Sequence, residues 1–178
     1  MQVEMTIKGL MVDPLTNMPI VILKDTDEKK VLPIWVGIFE ANAIALEMEQ
    51  VSTPRPMTHD LLKNIIEGFQ AQVARIVVND LKDNTFYAVI TINLNGNEVL
   101  IDARPSDAIA LALRVNAPIF VDEKVIEEAK SIEFTEPEEG EGDEGEAEAS
   151  EKPLDANPED VKRWLENLKP DDFLKFEN

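Results

Sequence analysis

Side chains that could carry acid–base chemistry or bind an anion are concentrated in three short segments of the chain. All three lie at predicted junctions leading into helices, where functional sites on such folds are usually found. The first segment, residues 35–41, places Glu40 in the first turn of a predicted helix. An acid at this position is also favoured by the helix dipole, so Glu40 is either a site residue or simply a good helix start.

The second segment, residues 55–60, contains His59, the single histidine of the chain. Thr58 is predicted to cap a helix, which places His59 and Asp60 in its first turn. A lone histidine more often packs or caps than catalyses, so both interpretations stay open. Arg55 adds to the functional interpretation, because a guanidinium beside free helix N–H groups forms an anion site.

The third segment, residues 102–107, is followed by Arg114. Ser106 is predicted to cap a helix and Asp107 to lie in its first turn. As structure, an Asp102–Arg104 pair would brace the junction between strand and helix. As function, Arg104 and Arg114 would hold a phosphate while Asp102 or Asp107 holds a metal ion or a water molecule.

Several chemistries are excluded by composition and motifs. The chain has no cysteine, and it lacks the sequence motifs GxSxG, GxxxxGK[ST], HExxH and GxGxxG as well as an EF-hand loop. With one histidine, any metal site must depend on carboxylates, His59 and water, which favours Mg²⁺ or Mn²⁺ over zinc. Ser106 has no adjacent base in the sequence, which argues against a Ser–His hydrolase.

The elements that must position these residues are alternating strands and helices. Strands are predicted around residues 3–7, 20–23, 31–36, 73–78, 86–94 and 99–103, and helices over about 38–50, from Thr58, from Ser106 and after Asp122. Asn95-Gly96 is a strong hairpin signal. Residues 43–46 and 108–111 share the sequence AIAL. Both halves show three strands and two helices, which predicts an α+β fold with an internal duplication, repeats at about 1–66 and 67–133, and one mixed sheet.

The composition changes near Thr135. Residues 1–134 carry 20 acidic and 12 basic side chains, whereas residues 135–178 carry 16 and 5. Residues 135–156 are predicted to form an acidic disordered linker. Residues 157–178 are predicted to hold a short helix with one apolar stripe, which docks on its own domain, binds a protein partner or stays mostly disordered; the stripe consists of Val161, Trp164, Leu165 and Leu168.

The overall charge and hydropathy favour a soluble cytoplasmic protein. The formal net charge of −19 argues against a protein that coats DNA or RNA by bulk electrostatics. No apolar run reaches the roughly 18–20 residues needed to span a bilayer. The first residues lack the basic start and apolar stretch of a secretory signal.

Four separated motifs, in order, resemble the bifunctional nuclease family of bacteria and plants: PIWVGIFEANAI (33–44), RPMTHDLL (55–62), TFYAVI (85–90) and DARPSDAIALALR (102–114). The resemblance covers about residues 1–133. It implies an activity on both DNA and RNA, an α+β fold built from a duplicated unit, and a homo-oligomer, dimeric or trimeric. Some members carry an appended UvrB/UvrC-like helical hairpin, from which the acidic segment and the Trp164 segment depart.

As a nuclease, the protein would need to neutralise the phosphate charge and activate a water molecule. The substrate-binding candidates are Arg55, Arg104, Ser106 and Arg114. The catalytic candidates are Glu40, His59, Asp60, Asp102 and Asp107, acting through Mg²⁺ or Mn²⁺ or with His59 as base. Because residues 1–134 are net acidic, we expect weak, salt-sensitive binding of nucleic acid. The alternative is a non-catalytic module that binds an anion or a protein, with the acidic tail as a solubilising or autoinhibitory arm.

Overall fold

The computed structural model describes residues 1–14 and 16–133. Within them the fold is α+β, with a mixed seven-stranded sheet and four helices. The strands are β1 (Gln2–Val12), β2 (Pro19–Asp25), β3 (Val31–Trp35), β4 (Gln72–Lys82), β5 (Thr85–Leu94), β6 (Asn97–Ala103) and β7 (Ile119–Asp122). The helices are α1 (Ile38–Met48), α2 (Thr58–Gly68), α3 (Pro105–Val115) and α4 (Glu123–Glu133). The predicted acidic linker and C-terminal helix lie outside the described residues.

The sheet consists of two three-stranded antiparallel units joined by β7. Its strand order is β3-β2-β1-β7-β4-β5-β6. The central strand β7 pairs antiparallel to β1 and parallel to β4, which makes the sheet mixed, as predicted. The sequence prediction missed β7, since an apolar run of four residues between two helices cannot be assigned by periodicity. The second half therefore has a strand between its helices that the first half lacks, and the internal duplication stays a prediction.

The core lies between the sheet and the helices α1, α3 and α4, which all contact strands, and α1 and α3 also contact each other. Both helices repeat small alanines beside isoleucine, and Ala43, Ile44, Ala108 and Ile109 are all buried. Small side chains let two helices pack closely, so the shared AIAL sequence is explained by this contact. The close packing also brings the beginnings of α1 and α3 together, which matters for the site.

Helix α2 differs from the other helices because its apolar stripe faces solvent. Among its described side chains, His59 is buried, whereas the apolar residues Leu61, Leu62, Ile65 and Phe69 are exposed. The spacing of Leu61, Leu62, Ile65, Ile66 and Phe69 predicts one apolar face on this helix. Ile66 is half-buried and packs on the core, whereas the other four stay exposed, which the spacing does not predict. Among the described helices, none is long and apolar enough to cross a membrane.

Candidate functional site

All four described helices carry an acidic side chain in the first turn: Glu40 in α1, Asp60 in α2, Asp107 in α3 and Glu123 in α4. This placement confirms the sequence prediction. Helix N-termini carry a partial positive charge from their free N–H groups, so carboxylates are stabilised there. Three of these N-terminal regions are linked by side chains that we call the polar cluster: Glu40, His59, Arg104 and Asp107.

Arg104 is the centre of the polar cluster. Its Nη2 donates a hydrogen bond to Glu40 Oε1 at 2.6 Å, and its Nε donates to Asp107 Oδ2 at 2.7 Å. The second oxygen of Asp107, Oδ1, lies 3.1 Å from His59 Nε2. These contacts join α1, α2 and α3 through side chains that are up to 64 residues apart in sequence.

The polar cluster presents one cation to solvent and shields the rest. The Arg104 side chain is 66% exposed, whereas Glu40, Asp107 and His59 are less than one-third exposed. The hydrogen bond to Asp107, together with that to Glu40, raises the pKa of Arg104. Burial acts to raise the pKa of Asp107, but hydrogen bonds from Arg104 and His59 outweigh it and the net shift is downward. Asp107 is therefore ionised at neutral pH.

Because Asp107 is ionised, it can only accept a hydrogen bond from His59. The proton of this hydrogen bond must then lie on His59 Nε2. Nδ1 is left as the nitrogen that can accept a proton.

Arg114 forms a second, buried ion pair behind the polar cluster. Its Nε donates to Asp60 Oδ1 at 2.6 Å and its Nη1 donates to the Ala110 carbonyl at 2.8 Å. The other oxygen of Asp60 accepts the backbone N–H of Met57 at 2.8 Å. The Met57 N–H and then Arg114 hold the pKa of Asp60 below its ordinary value. Since only 4% of the Arg114 side chain is exposed, this arginine braces α2 against α3 rather than facing solvent.

Gly37 makes room for Glu40, a requirement that the sequence analysis missed. A Cβ atom built on Gly37 would collide with the Glu40 carboxylate. The glycine therefore lets this carboxylate fold back over the beginning of α1, where Arg104 reaches it. A glycine three residues before an acid at a helix start was the available signal.

Three predicted site residues lie apart from this network. Among the described residues, the side chains of Arg55, Asp102 and Ser106 have no hydrogen bond or ion pair. Arg55 and Asp102 are exposed and Ser106 is buried. The predicted Asp102–Arg104 pair is wrong, because Arg104 pairs with Glu40 and Asp107 instead.

Both predicted helix caps are also wrong. The N-cap residue of α2 is Met57 rather than Thr58, and that of α3 is Arg104 rather than Ser106. At α2 the Asp60 carboxylate reaches back to the Met57 N–H, as the acid of a capping box does. At α3, Pro105 occupies the first helical position, where its missing N–H has no cost.

No group of three histidine, aspartate or glutamate side chains within residues 1–14 and 16–133 is placed to hold a metal ion. Two carboxylates of the polar cluster are instead bonded to Arg104. The Mg²⁺ or Mn²⁺ site therefore stays a prediction.

Comparisons with known proteins identify the family to which the chain is similar. The family model described as the bifunctional nuclease domain matches residues 21–133, which include the whole polar cluster. An uncharacterized protein of Mycobacterium tuberculosis is 36% identical over 170 residues, covering 96% of this chain and 97% of that protein. Bifunctional nuclease 1 of Oryza sativa subsp. indica is 24% identical over 116 residues, covering 64% of this chain and 35% of the rice protein.

Proposed function

The chain belongs to the bifunctional nuclease domain family, and we propose that it is a nuclease that hydrolyses phosphodiester bonds in DNA and RNA with little sequence preference. The rice relatives named as bifunctional nucleases support the reaction class. The observation that carries the location of the site is the line of contacts from Arg104 through Asp107 to His59. It joins an exposed cation to an oriented base, which are the two groups that the reaction requires.

Arg104 is the group that meets the phosphate. Its guanidinium is exposed and charged, and it can neutralise a non-bridging oxygen of the scissile phosphodiester. His59 Nδ1 takes a proton from the attacking water molecule, while Asp107 holds the ring and stabilises the imidazolium that forms. Positioning of these groups by three helices supplies the preorganisation on which phosphoryl transfer depends.

Asp60 and Arg114 are positioning residues in this proposal. Their ion pair fixes the first turn of α2 against α3 and so sets the place of His59, the residue before Asp60. Arg55 is exposed and adds a positive charge for contacts with the nucleic-acid backbone. The acidic balance of the domain makes this binding weak and salt-sensitive.

Cleavage assays with matched variants test the proposal. The full chain is incubated at low salt with a labelled single strand and a labelled duplex, in Mg²⁺, Mn²⁺ or EDTA. We expect a loss of about 10²-fold or more in the His59→Gln and Asp107→Asn variants, and the comparison of Mg²⁺, Mn²⁺ and EDTA tests whether the reaction needs a metal ion. The control is Asp102→Asn, which removes an exposed carboxylate without a described partner and should cleave like the wild type.

Two results would contradict this assignment. Equal cleavage by the wild type and a folded Arg104→Ala/Asp107→Ala double variant would place the activity elsewhere or in a contaminant. Cleavage that EDTA abolishes would contradict a reaction carried by side chains alone and would favour the metal-dependent mechanism. Circular dichroism of each variant establishes that it is folded.

The alternative is a non-catalytic module that binds an anion or a protein, and one observation favours a protein partner over an anion. Arg104 is bonded to two carboxylates, so the polar cluster carries more negative than positive charge when His59 is neutral. Absence of cleavage by every variant, with retained binding, would favour this function.

For either function, removing residues 136–178 tests whether the acidic tail competes with nucleic acid for Arg104. Tighter binding of nucleic acid is expected, and unchanged affinity would exclude an autoinhibitory tail.

We also propose that the protein self-associates through the exposed stripe of α2. A monomer rarely exposes neighbouring large apolar side chains on one helix face unless that face is an interface. The stripe contains Leu61, Leu62, Ile65 and Phe69, all of which are exposed.

A further inference from the structure

Three apolar side chains, Val77, Val89 and Phe120, form a row on the face of the sheet that points away from the core. Each lies between two residues of the hydrophobic core, and successive side chains of a strand point to opposite faces. Val77 on β4 pairs with Phe120 on β7 and with Val89 on β5, so the three are neighbours across three strands. We call this row the outer patch.

Two polar atoms beside the outer patch are shielded from water and have no hydrogen-bond partner within the described part of the chain. They are Arg75 Nε and Asn79 Oδ1. Arg75 precedes Val77 by two residues on β4, and Asn79 follows it by two, at a bulge of the strand. Buried polar groups normally have a partner, so these atoms indicate a group that supplies an acceptor beside Arg75 and a donor beside Asn79.

The predicted C-terminal helix carries matching groups on the two sides of its apolar stripe. Successive residues of a helix are rotated by about 100°, so Asp160 lies on one flank of the stripe and Lys162 and Lys169 lie on the other. A carboxylate would accept a hydrogen bond from Arg75 Nε, and an ammonium group would donate one to Asn79 Oδ1.

The lengths of the two apolar surfaces also agree. The stripe runs from Val161 to Leu168, which is about 10 Å along a helix axis. The outer patch runs from Phe120 to Val89 across two spacings between neighbouring strands, again about 10 Å. A helix laid across the strands would therefore cover the whole row.

We propose that residues 157–169 dock as a helix on the outer patch of their own domain. Trp164 and the rest of the stripe pack on the apolar row, Asp160 pairs with Arg75, and the lysine flank faces Asn79. This inference does not depend on the proposed nuclease function, because the outer patch contains no residue of the polar cluster.

The connection between the domain and this segment favours docking within one molecule. As a flexible chain, residues 134–156 would have a root-mean-square length of roughly 26 Å. That is about twice the radius of gyration of a domain of this size, roughly 14 Å, so the segment reaches the outer patch. A tether of this kind gives an effective concentration on the order of millimolar, at which a weak contact forms in one molecule before it forms between two.

The charges at the two ends of the row disfavour nucleic acid as the occupant. Glu4 pairs with Phe120, and Asp102 pairs with Val89, so an exposed carboxylate follows the row on each side. Both carboxylates would repel a phosphate backbone laid across the outer patch. The predicted helix carries charges of both signs and meets no such barrier.

Tryptophan fluorescence of the full chain tests the docking. Trp35 is replaced with phenylalanine so that Trp164 is the single tryptophan. We expect Trp164 to emit at a shorter wavelength than free N-acetyltryptophanamide and to be protected from acrylamide. Adding Val89→Asp should move the emission to the wavelength of the free compound, because a carboxylate then lies in the apolar row. The matched control is Phe69→Ser, which removes an exposed apolar side chain from α2 and should leave the emission unchanged.

Three results would overturn the inference. The first is emission of the parent protein at the wavelength of the free compound. The second is a shift caused by Phe69→Ser and not by Val89→Asp, which would place the segment on α2. The third is an emission maximum that changes on dilution, which would assign the contact to the segment of a second copy.

Methyl NMR tests the same contact without altering the sheet. In the full chain, Trp164→Ala should shift the methyl signals of Val77 and Val89, because the ring current of the indole is lost, and should leave Leu62 on α2 unmoved. Asp160→Ala should shift the Nε–H signal of Arg75. Unmoved Val77 and Val89 signals would overturn the inference, even where Val89→Asp fails to fold.

Discussion

Replacing Asp60 with asparagine should destabilise the protein more than replacing its partner Arg114 with methionine. The two partners differ in burial: 4% of the Arg114 side chain is exposed, but 30% of the Asp60 side chain. Asp60→Asn leaves the buried guanidinium of Arg114 with only the longer ion pair to Glu47, whose Oε2 lies 3.9 Å from Arg114 Nε. Arg114→Met removes the buried charge, keeps an unbranched apolar side chain, and leaves a carboxylate that water and the Met57 N–H still stabilise.

The expected magnitudes follow from this difference. Removing one partner of a fully buried ion pair costs about 3–5 kcal/mol, and the partial exposure of Asp60 brings Asp60→Asn to about 2–3 kcal/mol. Asparagine can still accept a hydrogen bond from the Met57 N–H, so this figure does not include the loss of the helix cap. Asp60→Ala would lose the cap as well, which costs about 1 kcal/mol more. Arg114→Met loses the bond to the Ala110 carbonyl and the ion pair, about 1 kcal/mol net.

Urea unfolding of the full chain, followed by circular dichroism, measures these differences. The double variant Asp60→Asn/Arg114→Met should be more stable than Asp60→Asn alone, because it contains no unpaired buried charge. Asp102→Asn is the control and should stay within about 0.5 kcal/mol of the wild type, as surface substitutions do. A greater loss in Arg114→Met than in Asp60→Asn, or additive losses in the double variant, would refute this account of the ion pair.

The same pair predicts a pH dependence with a defined sign. The pKa of Asp60 is lowered in the folded protein from an ordinary value of 3.8. A carboxyl group whose pKa is lowered by folding binds fewer protons in the folded state. Its stabilising effect is therefore complete above its ordinary pKa and is lost as the pH falls toward its lowered, folded-state pKa. The stability difference between the wild type and Asp60→Asn should therefore shrink as the pH falls below about 4.

Three further predictions test other parts of the structure. Gly37→Ala should lower the free energy of unfolding by about 0.5–1.5 kcal/mol in urea titrations, because the new methyl group displaces the Glu40 carboxylate and weakens its hydrogen bond with Arg104. Gly68→Ala, where a Cβ meets nothing within 4 Å, should instead leave stability unchanged or raise it. In a carboxyl NMR titration, Asp80 should ionise with a pKa of about 2, because hydrogen bonds from Lys82 and Lys124 stabilise the carboxylate. Removing either lysine should raise the pKa of Asp80. Phe69→Ser should weaken self-association in sedimentation equilibrium, and an unchanged association constant would exclude that residue from the interface.

The elements that sequence periodicity predicted correctly are those whose signals are local. Helices α1 and α2 begin at Ile38 and Thr58, as predicted. Asn95-Gly96 forms the turn between β5 and β6, with both residues at positive φ, which is the geometry that makes this pair a hairpin signal. Strand β7 was missed because its existence depends on pairing with β1 and β4, which are far away in sequence.

The errors at the helix caps have a physical cause. The hydroxyl side chains of Thr58 and Ser106 favoured these residues as helix N-caps. The N-cap, however, is the residue at which the backbone leaves the helical conformation, whatever its side chain. Pro105 fixes the first helical position of α3 and so moves the cap back to Arg104. At α2 the Asp60 carboxylate satisfies the free N–H from within the helix, so the hydroxyl of Thr58 is not needed.

For the candidate site, the sequence predicted which residues lie in the first turns but not which of them meet. Glu40 and Arg104 come from different halves of the chain and are joined because α1 packs on α3. The Asp102–Arg104 pair was expected from their spacing along a strand. That spacing does not apply, because Arg104 lies after the end of β6, where the chain turns into α3.

The pairing at Arg104 explains how an acidic protein could engage a polyanion. A phosphate that approaches this guanidinium must share it with Glu40 or Asp107 or replace one of them. Asp107 also holds His59, so its displacement would release the base as well. Glu40 has one described side-chain partner and lies at the N-terminus of α1, where free N–H groups stabilise its carboxylate after Arg104 has left it. The exchange of Glu40 for phosphate therefore costs less, and it keeps the guanidinium paired in both states.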